Sequence, residues 1–129
     1  MKKALSIKRI VKSFGYAING VKCAYKDEPN MKIHVLVATI VILLAFILKV
    51  STHEWLILLL LIGLVIAAEV LNTSLENFVD LVTKKQDPLA GKVKDTAAGF
   101  VMVLAILSAI VGLIIFIPKF ILLIEGKLW

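Results

Sequence analysis

Residues 55–80 read WLILLLLIGLVIAAEVLNTSLENFVD, an apolar run that passes into a segment with a regular polar pattern. The polar side chains of its second half recur at positions i, i+3, i+4, i+7 and i+11, and they are Glu69, Asn72, Thr73, Glu76 and Asp80. At about 100° per residue, they share one helical stripe that is roughly 100° wide. Carboxylates at or near membrane depth are costly and usually functional, so the stripe predicts a site for a divalent metal or a proton.

The composition indicates that the bilayer covers most of the apolar surface of this chain. The chain has 129 residues, of which 60% are hydrophobic, and its mean hydropathy is +0.99. Such a chain is one domain and is too apolar for a soluble protein of this size. The net charge of +6 suits membrane topology and anionic lipid, and we expect no nucleic-acid partner. A single cysteine, Cys23, excludes an internal disulfide and a zinc site built from cysteines.

The apolar periodicity predicts an all-α membrane protein with one surface helix and three transmembrane helices. Residues 4–24 place apolar side chains at helical spacing beside several lysines, and they are not apolar enough to span. We therefore predict an amphipathic helix in the membrane interface, while packing of this helix on the protein's own bundle stays open as an alternative. The spanning helices are expected at about residues 31–50, 55–82 and 92–120.

The distribution of lysine and arginine predicts the orientation in the membrane. Segment 1–32 carries eight of these residues and segment 83–96 carries four, whereas the first loop carries at most Lys49. By the positive-inside rule, the N-terminus and the second loop lie in the cytoplasm. The acidic stripe then faces the cytoplasmic side, together with Glu28 and Lys94.

Charged residues from three segments can meet near this surface. Glu28 and Glu76 are hard oxygen ligands of the kind that Mg²⁺ takes, usually together with substrate phosphates and water. Lys94 is a compact cation suited to a phosphate group. Asp80 and Asp95 could hold Lys94 in place.

Glu69 lies deepest in the stripe, one helical turn from Asn72, and suits a general base that faces a lipid hydroxyl. Metal, lysine and base together are the parts of phosphoryl transfer. The residues alone leave three other interpretations open. In the first, a Glu76–Lys94 or Asp80–Lys94 pair only holds two helices together. In the second, Glu69 carries protons in a small transporter. In the third, the polar stripe joins the subunits of a non-catalytic scaffold.

Two ordered segments closely resemble the signature of the bacterial diacylglycerol kinase family, and they are residues 69–80, EVLNTSLENFVD, and residues 90–99, AGKVKDTAAG. The resemblance covers nearly the whole chain and includes Arg9, Tyr16 and the stretch Lys26–His34. It implies a membrane lipid kinase that is a homotrimer of three-helix protomers with N-terminal surface helices. It also implies the bacterial cytoplasmic membrane, ATP as phosphoryl donor, Mg²⁺, and active sites shared between neighbouring protomers.

The resemblance also implies roles for individual residues at matching positions. Glu69 looks like the general base that meets the lipid substrate, and Glu28 and Glu76 look like the metal ligands. Asp80 looks like a residue that supports Lys94. Contacts to ATP or its phosphates are implied for Arg9, Tyr16, Asn72, Glu76, Lys94 and Asp95.

Three short stretches look like the branch of the family from Gram-positive bacteria that phosphorylates undecaprenol, and they are Asn30–His34, Glu54–Leu56 and Ile115–Lys119. We therefore expect undecaprenol as the acceptor. Diacylglycerol is the alternative acceptor, and a proton-coupled transporter is the more distant alternative. The loop Lys84–Pro88 lacks the Glu-Tyr-His stretch found near the adenine in the diacylglycerol branch.

Overall fold

The computed structural model describes residues 6–128, in which every regular element is an α-helix. The four helices follow one another as α1 (Ile7–Asp27), α2 (Pro29–Ile47), α3 (Thr52–Val82) and α4 (Pro88–Ile124). The last three are each long and apolar enough to cross a membrane, which confirms the all-α architecture with three such helices. Residues 1–5 and 129, which include the expected start of the surface helix at residue 4, lie outside the described residues.

A single residue, Glu28, separates α1 from α2. Its φ of −103° and ψ of 117° are extended, and its backbone N–H donates to the carbonyl oxygen of Ala24 at 3.0 Å. The residue before a proline is pushed out of the helical region, and Pro29 is well suited to the first position of a helix. As a result, α1 continues to Asp27 rather than ending near residue 24, and α2 begins at Pro29 rather than near residue 31.

A capping box fixes the start of α3. Ser51 Oγ accepts from the backbone N–H of Glu54 at 3.3 Å, and Glu54 Oε2 accepts from the backbone N–H of Ser51 at 2.6 Å. This reciprocal pair satisfies two donors that a helix start would otherwise leave unpaired. The helix therefore begins at Thr52 rather than near Trp55.

The start of α4 is fixed by Asp87 and Pro88. Asp87 Oδ1 accepts from the backbone N–H groups of Leu89 and Ala90, at 2.8 Å and 3.0 Å. Pro88 occupies the first helical position, where a missing N–H breaks no helical hydrogen bond. The helix therefore begins four residues before the expected start near Lys92. Pro88 would break a helix in its interior, but it is compatible with the first turn.

The last helix also runs through Pro118 and ends at Ile124, beyond the expected end near residue 120. An interior proline removes one backbone hydrogen bond but does not oblige the chain to leave the helix. Apolar helices of membrane proteins tolerate it because neighbouring groups and small local adjustments satisfy the freed carbonyl.

Ion pairs at both ends show that α3 and α4 are antiparallel neighbours. Beside the connecting loop, Lys94 Nζ lies 2.6 Å from Asp80 Oδ1. At the opposite end, Lys119 Nζ lies 3.0 Å from Glu54 Oε2. The apolar core lies at the same end. It joins α2, α3, α4 and the connection between α2 and α3, and its buried residues are Ala45, Leu48, Val50, Leu58, Ile115 and Phe116.

Most of the apolar surface of α2, α3 and α4 stays uncovered within one protomer. In the most apolar windows of these helices, only 11%, 39% and 17% of the residues are buried inside the chain. Lipid or neighbouring protomers are the surroundings that would cover the rest. The charged groups of the stripe lie at the end of the bundle opposite to the apolar core.

Candidate functional site

Glu69 is a charged side chain almost completely enclosed by the bundle. It lies in the middle part of α3 and is 2% exposed. Its Oε1 is 3.1 Å from His34 Nε2 on α2, whereas its Oε2 is buried and accepts no hydrogen bond within residues 6–128. A buried acceptor without a donor is costly, so Oε2 is the atom at which a donor from a bound molecule would be most stabilising.

Asn72 and Glu76 are hydrogen-bonded to each other on the next turns of α3. Asn72 Nδ2 donates to Glu76 Oε1 at 3.0 Å. A carboxylate only accepts, so this contact fixes the orientation of the amide. The amide oxygen, Asn72 Oδ1, is buried and unpaired among the described residues. Asn72 therefore presents an oxygen to the site, which suits a metal ion or a donor group.

Glu28 faces this stripe from the junction of α1 and α2. Burial raises the pKa of its carboxyl above the ordinary glutamate value, and the negative charges of Glu76, Glu69 and Asp27 raise it further, while Lys94 acts in the opposite direction. These electrostatic contacts place acids from two elements around one region. Like charges held together in this way favour a proton or a cation between them.

The donor set fits Mg²⁺ only if the substrate completes the coordination. No three His, Cys, Asp or Glu side chains within residues 6–128 are close enough together to hold a metal ion by themselves. Mg²⁺ typically takes one or two carboxylates and completes its shell with phosphate oxygens and water. Glu28, Glu76 and the unpaired Asn72 Oδ1 are oxygen donors of that kind.

Lys94 is held beside the acids by Asp80. The ion pair of 2.6 Å joins α4 to α3, and Lys94 also interacts electrostatically with Glu76 and Glu28. The helix-holding pair that the sequence left open is therefore formed by Asp80 and not by Glu76. The side chain of Asp95 is exposed and forms no hydrogen bond or ion pair with any other described residue, so it does not hold Lys94 in place.

The structure of one protomer does not bring Arg9 and Tyr16 to this cluster. Both lie on exposed faces of α1, and Tyr16 is 72% exposed. The backbone N–H of Arg9 donates at 3.3 Å to Ser6 Oγ, and the Ser6 side chain thereby caps the helix. Neither side chain forms a hydrogen bond or ion pair within the part of the chain that the structure describes.

His34 is a site residue to which the sequence analysis gave no role. The signal was present, because His34 interrupts the apolar run Ile33–Val50 and a titratable side chain at membrane depth is costly. Its partner could not be read from the sequence, since the contact depends on how α2 is rotated against α3.

Two grooves flank the cluster at the loop end of α3 and α4. One is a largely apolar space of about 550 Å³ between the two helices, and its lining includes Asn72, Leu75, Val93 and Phe100. The other has a similar volume of about 550 Å³ and is lined by the loop Thr83–Asp87 and the first turn of α4, together with Asp80 and Lys94. An apolar space that reaches a buried amide suits a lipid chain, and a polar one that reaches a lysine suits a phosphate-bearing molecule.

Comparison with known proteins gives one consistent family. The family model described as prokaryotic diacylglycerol kinase matches residues 15–116. The chain is 43% identical to the undecaprenol kinase of Bacillus subtilis (strain 168) over 113 residues, which cover 88% of this chain and 92% of that protein.

Two further relatives are named diacylglycerol kinases. A diacylglycerol kinase of Helicobacter pylori (strain J99) is 36% identical over 96 residues, which cover 74% of this chain and 75% of that protein. A diacylglycerol kinase of Haemophilus influenzae is 30% identical over 117 residues, which cover 90% of this chain and 99% of that protein. The identity is therefore higher to the protein named for undecaprenol than to these two.

Proposed function

This chain belongs to the prokaryotic diacylglycerol kinase family and is a lipid kinase, and we propose that the hydroxyl group it phosphorylates is that of undecaprenol. The observation that carries the choice of acceptor is the identity of 43% to the Bacillus subtilis undecaprenol kinase, along 88% of this chain. Diacylglycerol is the second candidate acceptor, because the other relatives described above are named diacylglycerol kinases.

We propose that Glu69 is the general base of the reaction. Its buried Oε2 has no donor within the described residues, so the hydroxyl group of the lipid would supply the missing hydrogen bond. The proton of that hydroxyl passes to Oε2 as the oxygen attacks the γ-phosphorus of ATP. Glu69 itself is 2% exposed, so bulk water has little access to the proposed base.

Glu28 and Glu76 would hold Mg²⁺, which offsets the negative charge of the phosphates when it is bound. Their support is the electrostatic interaction between the two carboxylates. Lys94, aligned by Asp80, would add a positive charge beside the phosphates. Asn72 and Asp95 complete the proposed contacts to ATP.

We propose that the working protein is a homotrimer whose protomers share active sites. The exposed Arg9 and Tyr16 would then reach the nucleotide held by a neighbouring protomer, since they do not reach the cluster of their own chain. α1 would lie in the membrane interface, where its lysines meet anionic headgroups and its exposed apolar side chains, among them Phe14, Ile18 and Val21, enter the acyl region.

We also propose that the cluster lies on the cytoplasmic side of a bacterial cell membrane, where ATP is available. The support is the excess of lysine and arginine at the end of the bundle that carries α1 and the loop Thr83–Asp87. The lipid needs no deep pocket, because its chain stays in the bilayer and only its hydroxyl group reaches Glu69.

A competition assay tests the choice of acceptor. The purified protein in detergent micelles receives labelled ATP, Mg²⁺ and equal amounts of undecaprenol and diacylglycerol. We expect labelled undecaprenyl phosphate in clear excess. An excess of labelled phosphatidic acid would assign diacylglycerol as the acceptor and overturn the proposal.

The Glu76→Gln variant tests the proposed metal ligand. We expect activity to fall strongly while the oligomer stays assembled, because the amide binds Mg²⁺ poorly but still fills the same space. Dissociation of the oligomer in this variant, measured by size-exclusion chromatography with light scattering, would instead assign Glu76 to assembly.

A further inference from the structure

We propose that His34 is a positioning residue, which holds Glu69 by one carboxylate oxygen and directs the other toward the acceptor hydroxyl. The inference rests on the proposed role of Glu69 as general base. The resemblance to the family gives His34 no role, and the inference comes from the contact between α2 and α3.

The two oxygens of Glu69 have different surroundings. Oε1 lies 3.1 Å from His34 Nε2, whereas Oε2 is buried without a partner in the described chain. Thr73 donates at 2.9 Å to the backbone carbonyl oxygen of Glu69 and not to its carboxylate. Among residues 6–128, His34 is thus the side chain that holds this carboxylate.

The chemistry of the contact fixes the hydrogen. An ionised carboxylate can only accept, so His34 Nε2 carries the proton that lies between the two residues. This holds for the neutral ring with a proton on Nε2 and for the imidazolium alike, so the geometry does not depend on the charge of the ring. A carboxylate held at Oε1 cannot rotate freely, and the direction of Oε2 is fixed before the substrate arrives.

The transfer forms one P–O bond and breaks another. A lone pair of the lipid hydroxyl oxygen forms a bond to the γ-phosphorus of ATP. The bond from that phosphorus to the β–γ bridging oxygen breaks, and its electron pair leaves with ADP. The hydroxyl proton passes to Glu69 Oε2 and is later released to water, while His34 Nε2 stays beside Oε1.

The test compares His34→Leu with His34→Gln. Leucine fills the space but cannot donate, whereas the amide nitrogen of glutamine takes a position close to that of Nε2 and can still donate. For His34→Leu we expect kcat to fall by about 100-fold, the cost of misplacing a reacting group, with the KM for ATP unchanged. Glutamine should restore most of the lost kcat. His53→Leu is the matched control, because His53 is the other histidine of the chain and is exposed at the far end of the bundle.

A double-mutant cycle separates this inference from the proposed function. We expect Glu69→Gln to reduce kcat by orders of magnitude, and His34→Leu to add little further loss in that background. If Glu69→Gln left kcat intact, the proposed base would be wrong. If Glu69→Gln removed activity but His34→Leu did not change kcat, or changed it equally in both backgrounds, only the role of His34 would be overturned.

Nuclear magnetic resonance of the folded wild-type protein with ¹⁵N-labelled histidine tests the contact without relying on the leucine variant. We expect Glu69→Gln to shift the Nε2 signal of His34 and to leave that of His53 in place. Unchanged signals for both histidines would show that His34 does not hold Glu69, and would overturn the inference.

Discussion

The proposed role of Glu28 as a metal ligand conflicts with the stability of the folded chain. The pKa of Glu28 is raised by burial and by the acids around it, so the ionised form is disfavoured in the folded state. The penalty is absent at low pH, where the carboxyl is protonated in both states. It appears as pH rises through the raised pKa of the folded state, and a bound cation would offset it.

This conflict predicts the behaviour of Glu28→Gln. In buffer with a chelator at about pH 7.5, we expect the variant to unfold at a higher temperature than the wild type, and at about pH 4 we expect the difference to vanish. No side-chain hydrogen bond is lost, because the Glu28 side chain does not cap α2. The measurement is thermal unfolding followed by circular dichroism, alongside the kinase assay, in which the variant should be inactive.

Asp27→Asn is the matched control for this prediction. Asp27 contributes to the raised pKa of Glu28 less than Glu76 and Glu69 do, and it has no proposed role as a ligand. We expect activity to remain in this variant. If Glu28→Gln were less stable than the wild type at the higher pH, Glu28 would stabilise the fold and would not be in conflict with it.

At the scale of the helices, the connection between α3 and α4 sets the position of Lys94. The Asp80–Lys94 pair is partly exposed, with Asp80 62% and Lys94 34% exposed. Exposed pairs of this kind contribute little to stability, because water and salt screen them. The pair is therefore more important for aligning the lysine than for holding the helices together.

The Asp80→Asn variant tests whether the pair aligns Lys94 rather than stabilising the fold. We expect the KM for ATP to rise several-fold and the unfolding temperature to change little, because the lysine keeps its charge but loses its alignment. Glu125→Gln is the control, since it breaks the exposed Glu125–Lys127 pair of 2.8 Å at the other end of α4. An equal rise in KM in both variants, or a large loss of stability in Asp80→Asn, would contradict the assignment.

The helices also show how far the sequence could predict the structure. The polar stripe from Glu69 to Asp80 and its place on one long helix follow from the 3.6-residue period alone. The start of α4 was placed too late, because Pro88 and Gly91 read as loop residues until the cap at Asp87 is known.

The candidate site, too, could be predicted from the sequence only in part. The importance of Glu28, Glu76 and Lys94 could be argued from residue type and membrane side. The contact of His34 with Glu69 could not, since the period of one helix does not give its rotation against another. Whether Arg9 and Tyr16 reach the nucleotide depends on assembly, which the sequence of a single chain does not contain.

For the whole molecule, the separation of Arg9 from the acidic cluster predicts complementation between protomers. Arg9→Ala and Glu69→Gln are each expected to be inactive alone. Mixed before reconstitution, they should regain part of the activity, because some sites then combine an intact Arg9 from one protomer with an intact Glu69 from its neighbour. The measurement is the kinase activity of unfolded and refolded mixtures at several ratios, with each variant treated alone as the control. No recovery at any ratio would show that each protomer works by itself.

The crowding of Glu28, Glu69 and Glu76 also bears on what happens after the transfer. The acceptor arrives as a neutral alcohol, but the product carries a phosphate group beside carboxylates, which would repel it whenever no cation is bound. The site would then expel its own product toward the headgroup region, without a separate gate. We expect weak product inhibition, so that added undecaprenyl phosphate slows the enzyme far less than added ADP. Tight competitive inhibition by the lipid phosphate would contradict this.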